Sequence, residues 1–257
     1  MKIMTFNLRF ENDRDGENSW ENRRRMVVDV VERYQPDILG TQEGKWNQLA
    51  FLADCLPAYA AVMPGRIMDK KIQCPTLFIK KDACRILSAR DFWLSKTPDV
   101  YLSKDWDSAF PRMISFAELL MKKADRKIVA AVTHLDHLGV EARLQQAKII
   151  AEWIKKQEIP VVLMGDFNDA PASGVHGALI SPHTPLCDTW EAMGHSEAEK
   201  SYTHHGFNGI PQLSRMDWVL ADCGFRVTDA RIIHDQVDGR YPSDHFPYLA
   251  TLEPGPG

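Results

Sequence analysis

Carboxylates, carboxamides and imidazoles recur in this chain at the ends of short apolar runs, where emerging strands would present them to a common surface. The clearest case is Gly165-Asp166-Phe167-Asn168-Asp169, directly after the run Ile159-Pro160-Val161-Val162-Leu163-Met164. The same pattern appears at Met4-Thr5-Phe6-Asn7, Ile38-Leu39-Gly40-Thr41-Gln42-Glu43, Val129-Ala130-Ala131-Val132-Thr133-His134, Met216-Asp217-Trp218-Val219-Leu220 and Ser243-Asp244-His245-Phe246-Pro247. Taken singly, each block has an ordinary explanation. Asp166 could close an Asx-turn, Asn7 could bond local backbone, Glu43 could cap the following helix and Asp217 could pair with Arg215. Taken together, they suit phosphate-ester cleavage, which needs a positioned water, neutralised equatorial oxygens and help for the leaving oxygen. A hard divalent cation among carboxylates, with an imidazole alongside, supplies all three. Glu43 is the best candidate metal ligand, because a carboxylate at a strand end suits an oxygen-seeking ion that keeps waters and binds phosphate. Mg2+ is the expected ion, with Mn2+ as the alternative. His134 and His137 also admit a zinc site, but no third nitrogen or sulfur ligand is suitably spaced and the surroundings are rich in oxygen.

Those points need many strands to hold them. Strands are predicted at 3–10, 37–41, 75–80, 86–94, 112–121, 127–134, 161–164, 215–220, 225–233 and 248–252. Helices are predicted at about 20–35, where Met26, Val27, Val30, Val31 and Tyr34 recur at helical spacing before Pro36, at about 45–55 and at about 140–157. So many strands for so few helices exceed a simple doubly wound sheet, and two sheets packed face to face with helices outside fit better. Stretches 96–110 and 170–211 carry turn residues and little periodicity, so they read as long surface loops.

The 257 residues, 44% hydrophobic and 26% charged, lie in the ordinary globular range and exclude disordered, collagen-like and disulfide-dense classes. No linker or repeat divides the chain, so a single domain over 1–257 is expected. A net charge of −4 gives no overall field for nucleic acid or an anionic membrane, although a local basic patch could still act. Cys55, Cys74, Cys84, Cys187 and Cys223 are odd in number, scattered and without a Cys-x-x-Cys pair, so reduced thiols are expected. No basic leader or membrane-length apolar run is evident, and a cytoplasmic monomer without a membrane partner is expected.

In this order, Thr-Phe-Asn-Leu near the start, Pro-Asp-Ile-Leu-Gly-Thr-Gln-Glu, Thr-His-Leu-Asp-His, Gly-Asp-Phe-Asn-Asp, Arg-Met-Asp-Trp-Val and Ser-Asp-His-Phe-Pro resemble the endonuclease/exonuclease/phosphatase superfamily, the fold of DNase I. The resemblance runs from Asn7 to His245, and its details are similar to a bacterial branch of hydrolases. It implies an α/β fold, a four-layer α/β/β/α sandwich of two mostly antiparallel sheets, and metal-dependent hydrolysis of phosphate esters. Residue by residue, it implies Asn7, Glu43 and Asp244 at the metal, Asp166 orienting or deprotonating water, and Asn168 holding the phosphoryl group. It further implies His245 meeting the developing charge, Asp217 fixing the His245 tautomer, and His134 donating to a phosphate oxygen from the opposite side. Whether His245 is a base or an electrostatic stabiliser stays open.

Arg112, Arg240 and Tyr241 are candidate substrate-binding residues. Arg240 sits close enough in sequence to Asp244 to clamp a phosphate and Tyr241 to wall a pocket, while a solvated turn arginine is an equal reading. Asp136 and His137 could support the site or cap the next helix, His204 and His205 could reach the substrate from a long loop, and Arg23-Arg24-Arg25 reads as a solvated helix face. A small phosphoester, mono- or diester, is the favoured substrate because no basic, aromatic-interleaved ridge is evident. A nuclease or repair phosphodiesterase using the same residues is the alternative, and a noncatalytic phosphoester binder is the least favoured reading.

Overall fold

The central strands carry apolar residues on both faces and must therefore be covered on both. In the computed structural model, which describes residues 1–66, 69, 72–180 and 182–255, this cover comes from a second sheet on one side and helices on the other. The elements are β1 (Lys2–Asn7), α1 (Trp20–Tyr34), β2 (Ile38–Gly44), α2 (Trp46–Cys55), β3 (Tyr59–Val62), β4 (Cys74–Lys80), β5 (Cys84–Trp93), β6 (Met113–Met121), β7 (Arg126–His134) and α3 (Val140–Ile154). They continue with β8 (Val161–Asp166), α4 (Gly174–Leu179), β9 (Leu186–Asp188), α5 (Thr189–Ala192), β10 (Asp217–Asp222), β11 (Phe225–Ile232) and β12 (Tyr248–Pro254). Residues 67, 68, 70, 71, 181, 256 and 257 of the expected single domain lie outside the described residues.

One six-stranded sheet has the order β11-β12-β1-β2-β4-β3 and the other β5-β6-β7-β8-β10-β9. In each, the central pair is parallel, β1 with β2 and β7 with β8, and the other neighbours are antiparallel. A parallel pair needs a crossover, which α1 and α3 provide. Alternation along each strand divides the core into three layers. Ile3, Ile38, Leu77, Val132, Val162, Met164 and Val219 meet between the sheets, Met4, Phe6, Leu39 and Phe78 face α1 and α2, and Val161, Leu163, Leu220 and Trp218 face α3 and α4. Gly40 belongs to this arrangement, since a Cβ there would come within 2.6 Å of the Met164 side chain across the sheet interface. The four-layer α/β sandwich expected from the sequence is the fold.

Several expectations change. Stretch 170–211 is not an irregular loop, since it holds α4, the short edge strand β9, α5 and a 3-10 turn at Glu199–Ser201. Elements of three to six residues leave too few periods to register in sequence. Edge strand β3 was absent from the sequence reading for the same reason. Not all thiols are free: Cys187 and Cys223 form a disulfide, with Cα atoms 5.4 Å apart, that ties β9 to the end of β10. Their separation of 36 residues has no motif, and only the pairing of β9 with β10 brings them together. Arg23 is not part of a solvated face. It is buried at 2% exposure and donates to the carbonyls of Leu8, Arg9, Asn18 and Pro242, whereas Arg24 and Arg25 pair with Glu21 and Asp29 at the surface. Among the described residues no helix is long and apolar enough to cross a membrane.

Candidate active site

The carboxyl ends of the two parallel pairs, β1/β2 and β7/β8, face the same end of the molecule, where strand ends in open α/β sheets commonly hold ligands. Asp166 ends β8 with His134 opposite it in register on β7 and Asp217 opposite it on β10. Gly165 makes the first pairing close, because a Cβ there would lie 2.2 Å from the Thr133 carbonyl oxygen. From the other sheet, Asn7 ends β1 and donates through Nδ2 to Asp166 Oδ2 at 2.9 Å, while Glu43 Oε1 lies 3.4 Å from the same nitrogen. Glu43 does not cap α2, because its Oε2 accepts the Phe10 N–H at 2.9 Å and Gln48 bonds the Lys45 N–H instead.

The segment 242–246 brings the last groups in. Ser243 Oγ donates to the Asn7 carbonyl at 2.6 Å, and the His205 N–H donates to the Asp244 carbonyl at 2.8 Å. His245 Nδ1 meets Asp217 Oδ2 at 2.8 Å, and its Nε2 lies 3.9 Å from Asp166 Oδ2. His134 Nε2 lies 3.4 Å from the same oxygen. Asp217 therefore pairs with His245, while Arg215 pairs with buried Asp188 and with Glu197. Backbone strain gathers here too: Arg9, Glu43 and Asn168 have φ of 51°, 62° and 50°, a region non-glycine residues seldom adopt.

Burial and charge separate the titrating groups. Burial drives the Asp166 carboxyl up, nearby Asp217 adds to the rise, and it reaches about 7. Burial works against a charged His245, but Asp217, Asp166 and Asp244 outweigh it and raise the imidazole to about 10. His134 moves well below its ordinary value, through burial and then the charges of Arg112 and His245, so it is neutral. Near pH 7 the site therefore holds a protonated His245 beside a half-titrated Asp166 and a neutral His134.

Asn168 Nδ2 donates to the Leu135 carbonyl at 3.0 Å, and its N–H donates to Asp166 Oδ1 at 2.9 Å. Asp244 Oδ2 lies 3.8 Å from Arg9 Nη1. Arg112 is buried, with Nη2 3.2 Å from His137 Nδ1 and Nε 3.6 Å from Asp136 Oδ2. Tyr241 packs edge-on against His205 at 4.7 Å, and Arg240 is exposed in a turn closed by the Val237 and Arg240 backbones. A cavity of about 360 Å³ near Met1, Lys80, Cys84 and Leu252 lies at the opposite ends of the strands and involves none of these groups.

The model of the endonuclease/exonuclease/phosphatase family matches residues 4–245 of the chain. The chain belongs to this family of phosphoester hydrolases. A family protein from Bacteroides vulgatus shares 31% identity, with 98% of both chains covered at a TM-score of 0.90. A mannosyl-6-phosphatase from Bacteroides thetaiotaomicron shares 29% identity, covering 98% of this chain and 99% of that one at a TM-score of 0.88. Nocturnin of Drosophila melanogaster is 26% identical over 174 residues, which make up 63% of this chain and 26% of that protein.

The donor set of this family member fits a hard divalent cation. Glu43, Asp166 and Asp244 offer carboxylate oxygens around the Asn7 amide, and two groups, His204 with Asp244 and His245, and Asp166 with Asp217 and His245, converge closely enough to hold an ion. Asp217 Oδ1 is buried without a partner. Three neighbours escaped the sequence reading or were discounted by it. Arg9 reaches Asp244 because of its left-handed backbone. His204 packs edge-on against His245 at 5.1 Å, and Phe110 stacks on His137. Arg9 carries the signal of lying two residues past Asn7, whereas Phe110 and His204 stand far from every motif block and carry none.

Proposed function

We propose that the protein is a metal-dependent phosphoesterase that attacks a small phosphate ester with water, and that a sugar phosphomonoester is the substrate to test first. The carrying observation is His245 hydrogen-bonded to Asp217 at 2.8 Å while facing Asp166, whose carboxyl is raised to about 7. A carboxylate that titrates near neutrality can orient a water and take its proton. An imidazole still protonated up to about pH 10 is an electrostatic partner for the developing phosphoryl charge rather than a base. Asp217 holds its tautomer and orientation. Neutral His134 donates one hydrogen bond, and the second amide hydrogen of Asn168, unused by Leu135, serves a phosphoryl oxygen.

Glu43, Asn7 and Asp244 would hold Mg2+, or Mn2+, which when bound supplies Lewis-acid neutralisation of the phosphoryl oxygens. Arg112 supplies fixed positive charge on the His134 side. The similarity to a mannosyl-6-phosphatase over almost the whole of both chains supports a sugar phosphate. A nuclease would use the same residues, but the net charge of −4 offers no bulk attraction for a polymer, and such an enzyme should bind nucleic acid with a steep salt dependence.

The test is hydrolysis of hexose 6-phosphates and of paired chromogenic mono- and diesters with Mg2+, Mn2+ or EDTA, beside the His245→Ala protein. Turnover that needs both the metal and His245 is expected. Metal-independent turnover, or equal rates in the variant, would overturn the assignment.

A further inference from the structure

Next to the hydrolytic residues stands a second arrangement that they do not use. Phe110 is 56% exposed, and its ring stacks on His137 with centroids 5.7 Å apart and planes 17° from parallel. The Arg112 guanidinium lies 5.9 Å from the same ring, and its Nη2 lies 3.2 Å from His137 Nδ1. Arg112 is itself only 8% exposed, and its buried Nε has no hydrogen-bond partner.

Asp136 builds this arrangement. Its Oδ2 accepts from Ser108 Oγ and from the N–H groups of Ala109 and Phe110 at 3.1, 3.0 and 3.2 Å. Its Oδ1 accepts from the N–H groups of Leu138 and Gly139 at 3.0 and 2.7 Å. One buried carboxylate thus hangs two loops side by side and fixes the ring over the imidazole. Burial would raise this carboxyl, but the N–H groups of Gly139, Phe110 and Ala109 overcome it and hold Asp136 at about 2, ionised at any working pH.

The stack borders the active site on its His134 side. Arg112 interacts electrostatically with Glu43, Asp166 and His134, and His137 with Glu43 and His134. A large aromatic held rigidly in the open, with a guanidinium beneath it, is built to receive a ligand rather than to fill a core.

We infer that the Phe110–His137 stack, with Arg112 beside it, is the platform for the leaving group of the substrate, a hexose-like ring carrying the phosphate; this rests on the phosphoesterase reading. One face of such a ring presents C–H groups, which suit the negative face of an aromatic ring. Its ring oxygen and hydroxyls suit the N–H donors of the guanidinium beside the stack. Asp136 acts as the positioning residue of the platform.

Binding separates this inference from turnover. In an Asp166→Asn background with Mg2+, calorimetry should show mannose 6-phosphate binding about ten-fold more tightly than glycerol 3-phosphate. Phe110→Ala should remove the preference, and Phe110→Trp should keep it, with unchanged circular dichroism in both. A preference that survives Phe110→Ala, or no preference in the parent, would overturn the platform. Absence of hydrolysis of either ester by the unmutated protein would overturn the phosphoesterase reading instead.

Discussion

The two sheets have one plan and different duties. Each places an antiparallel hairpin, β11-β12 or β5-β6, beside a parallel pair joined by a helix, and ends on the antiparallel strands β4-β3 or β10-β9. In this correspondence β1 matches β7 and β2 matches β8, so Asn7 answers to His134, and Gln42, the residue before Glu43, answers to Asp166. Yet the first sheet contributes oxygen donors with half-buried Glu43 at the edge, whereas the second contributes His134, Asp166 and Asp217, all at 5% exposure or less. Topology therefore fixes where chemistry can occur. Burial raises the Asp166 carboxyl toward neutrality.

That division can be broken by substitution. Asp166→Asn or His245→Ala should lower kcat by about a thousand-fold or more at saturating Mg2+, measured by steady-state hydrolysis in folded protein. Loss of the disulfide that staples the edge of the second sheet should come next. Cys187→Ser should cost about 3–4 kcal/mol by denaturant unfolding, given the 36-residue separation, and dithiothreitol should destabilise the parent but not the variant. Glu43→Gln should act on metal demand, raising the Mg2+ concentration for half-activity by roughly ten-fold or more while lowering saturated kcat far less. If it instead abolished kcat at every metal concentration, the separation of duties between the sheets would fail.

The smallest expected effect concerns stability. Folded Asp166 titrates near 7 against an unfolded value of about 3.9, so the folded state holds its proton longer. The resulting penalty is absent below about pH 4, grows as pH rises and is complete above about 7. In EDTA, Asp166→Asn should therefore raise Tm at pH 8 and leave it nearly unchanged at pH 4. His245 has its folded value raised, so its contribution is whole below about 6.5 and fades as pH rises through about 10. A melting temperature for Asp166→Asn at or below that of the parent at pH 8 would show that burial does not strain this carboxyl.

Much of the site was legible because strand ends carry it. Asn7, His134, Asp166 and Asp217 stand where an apolar run meets a polar residue, and such runs survive in sequence when strands are buried on both faces. Contacts made by long-range closure were hidden. Arg23 reads as solvated at the head of a run with the surface residues Arg24 and Arg25, and only the approach of Pro242 and Leu8 to α1 shows it buried. The disulfide depended on a three-residue strand, and Phe110 on a carboxylate 26 residues away in sequence. The left-handed backbones of Arg9 and Glu43 leave no residue-type signal, since neither is the glycine such a turn would favour.

The pairing of β1 with β12 has a consequence for how the chain acquires its shape. The second sheet uses a continuous stretch from Cys84 to Asp222, whereas the first joins strands from Lys2 to Lys80 with the hairpin from Phe225 to Pro254. Contacts across such distances close slowly. During synthesis the second sheet can assemble alone, while β1 waits with an unsatisfied edge for β12 to emerge from the ribosome. Because His245 lies just before β12, its pairing with Asp217 of β10 joins the two sheets among the last of these contacts to form.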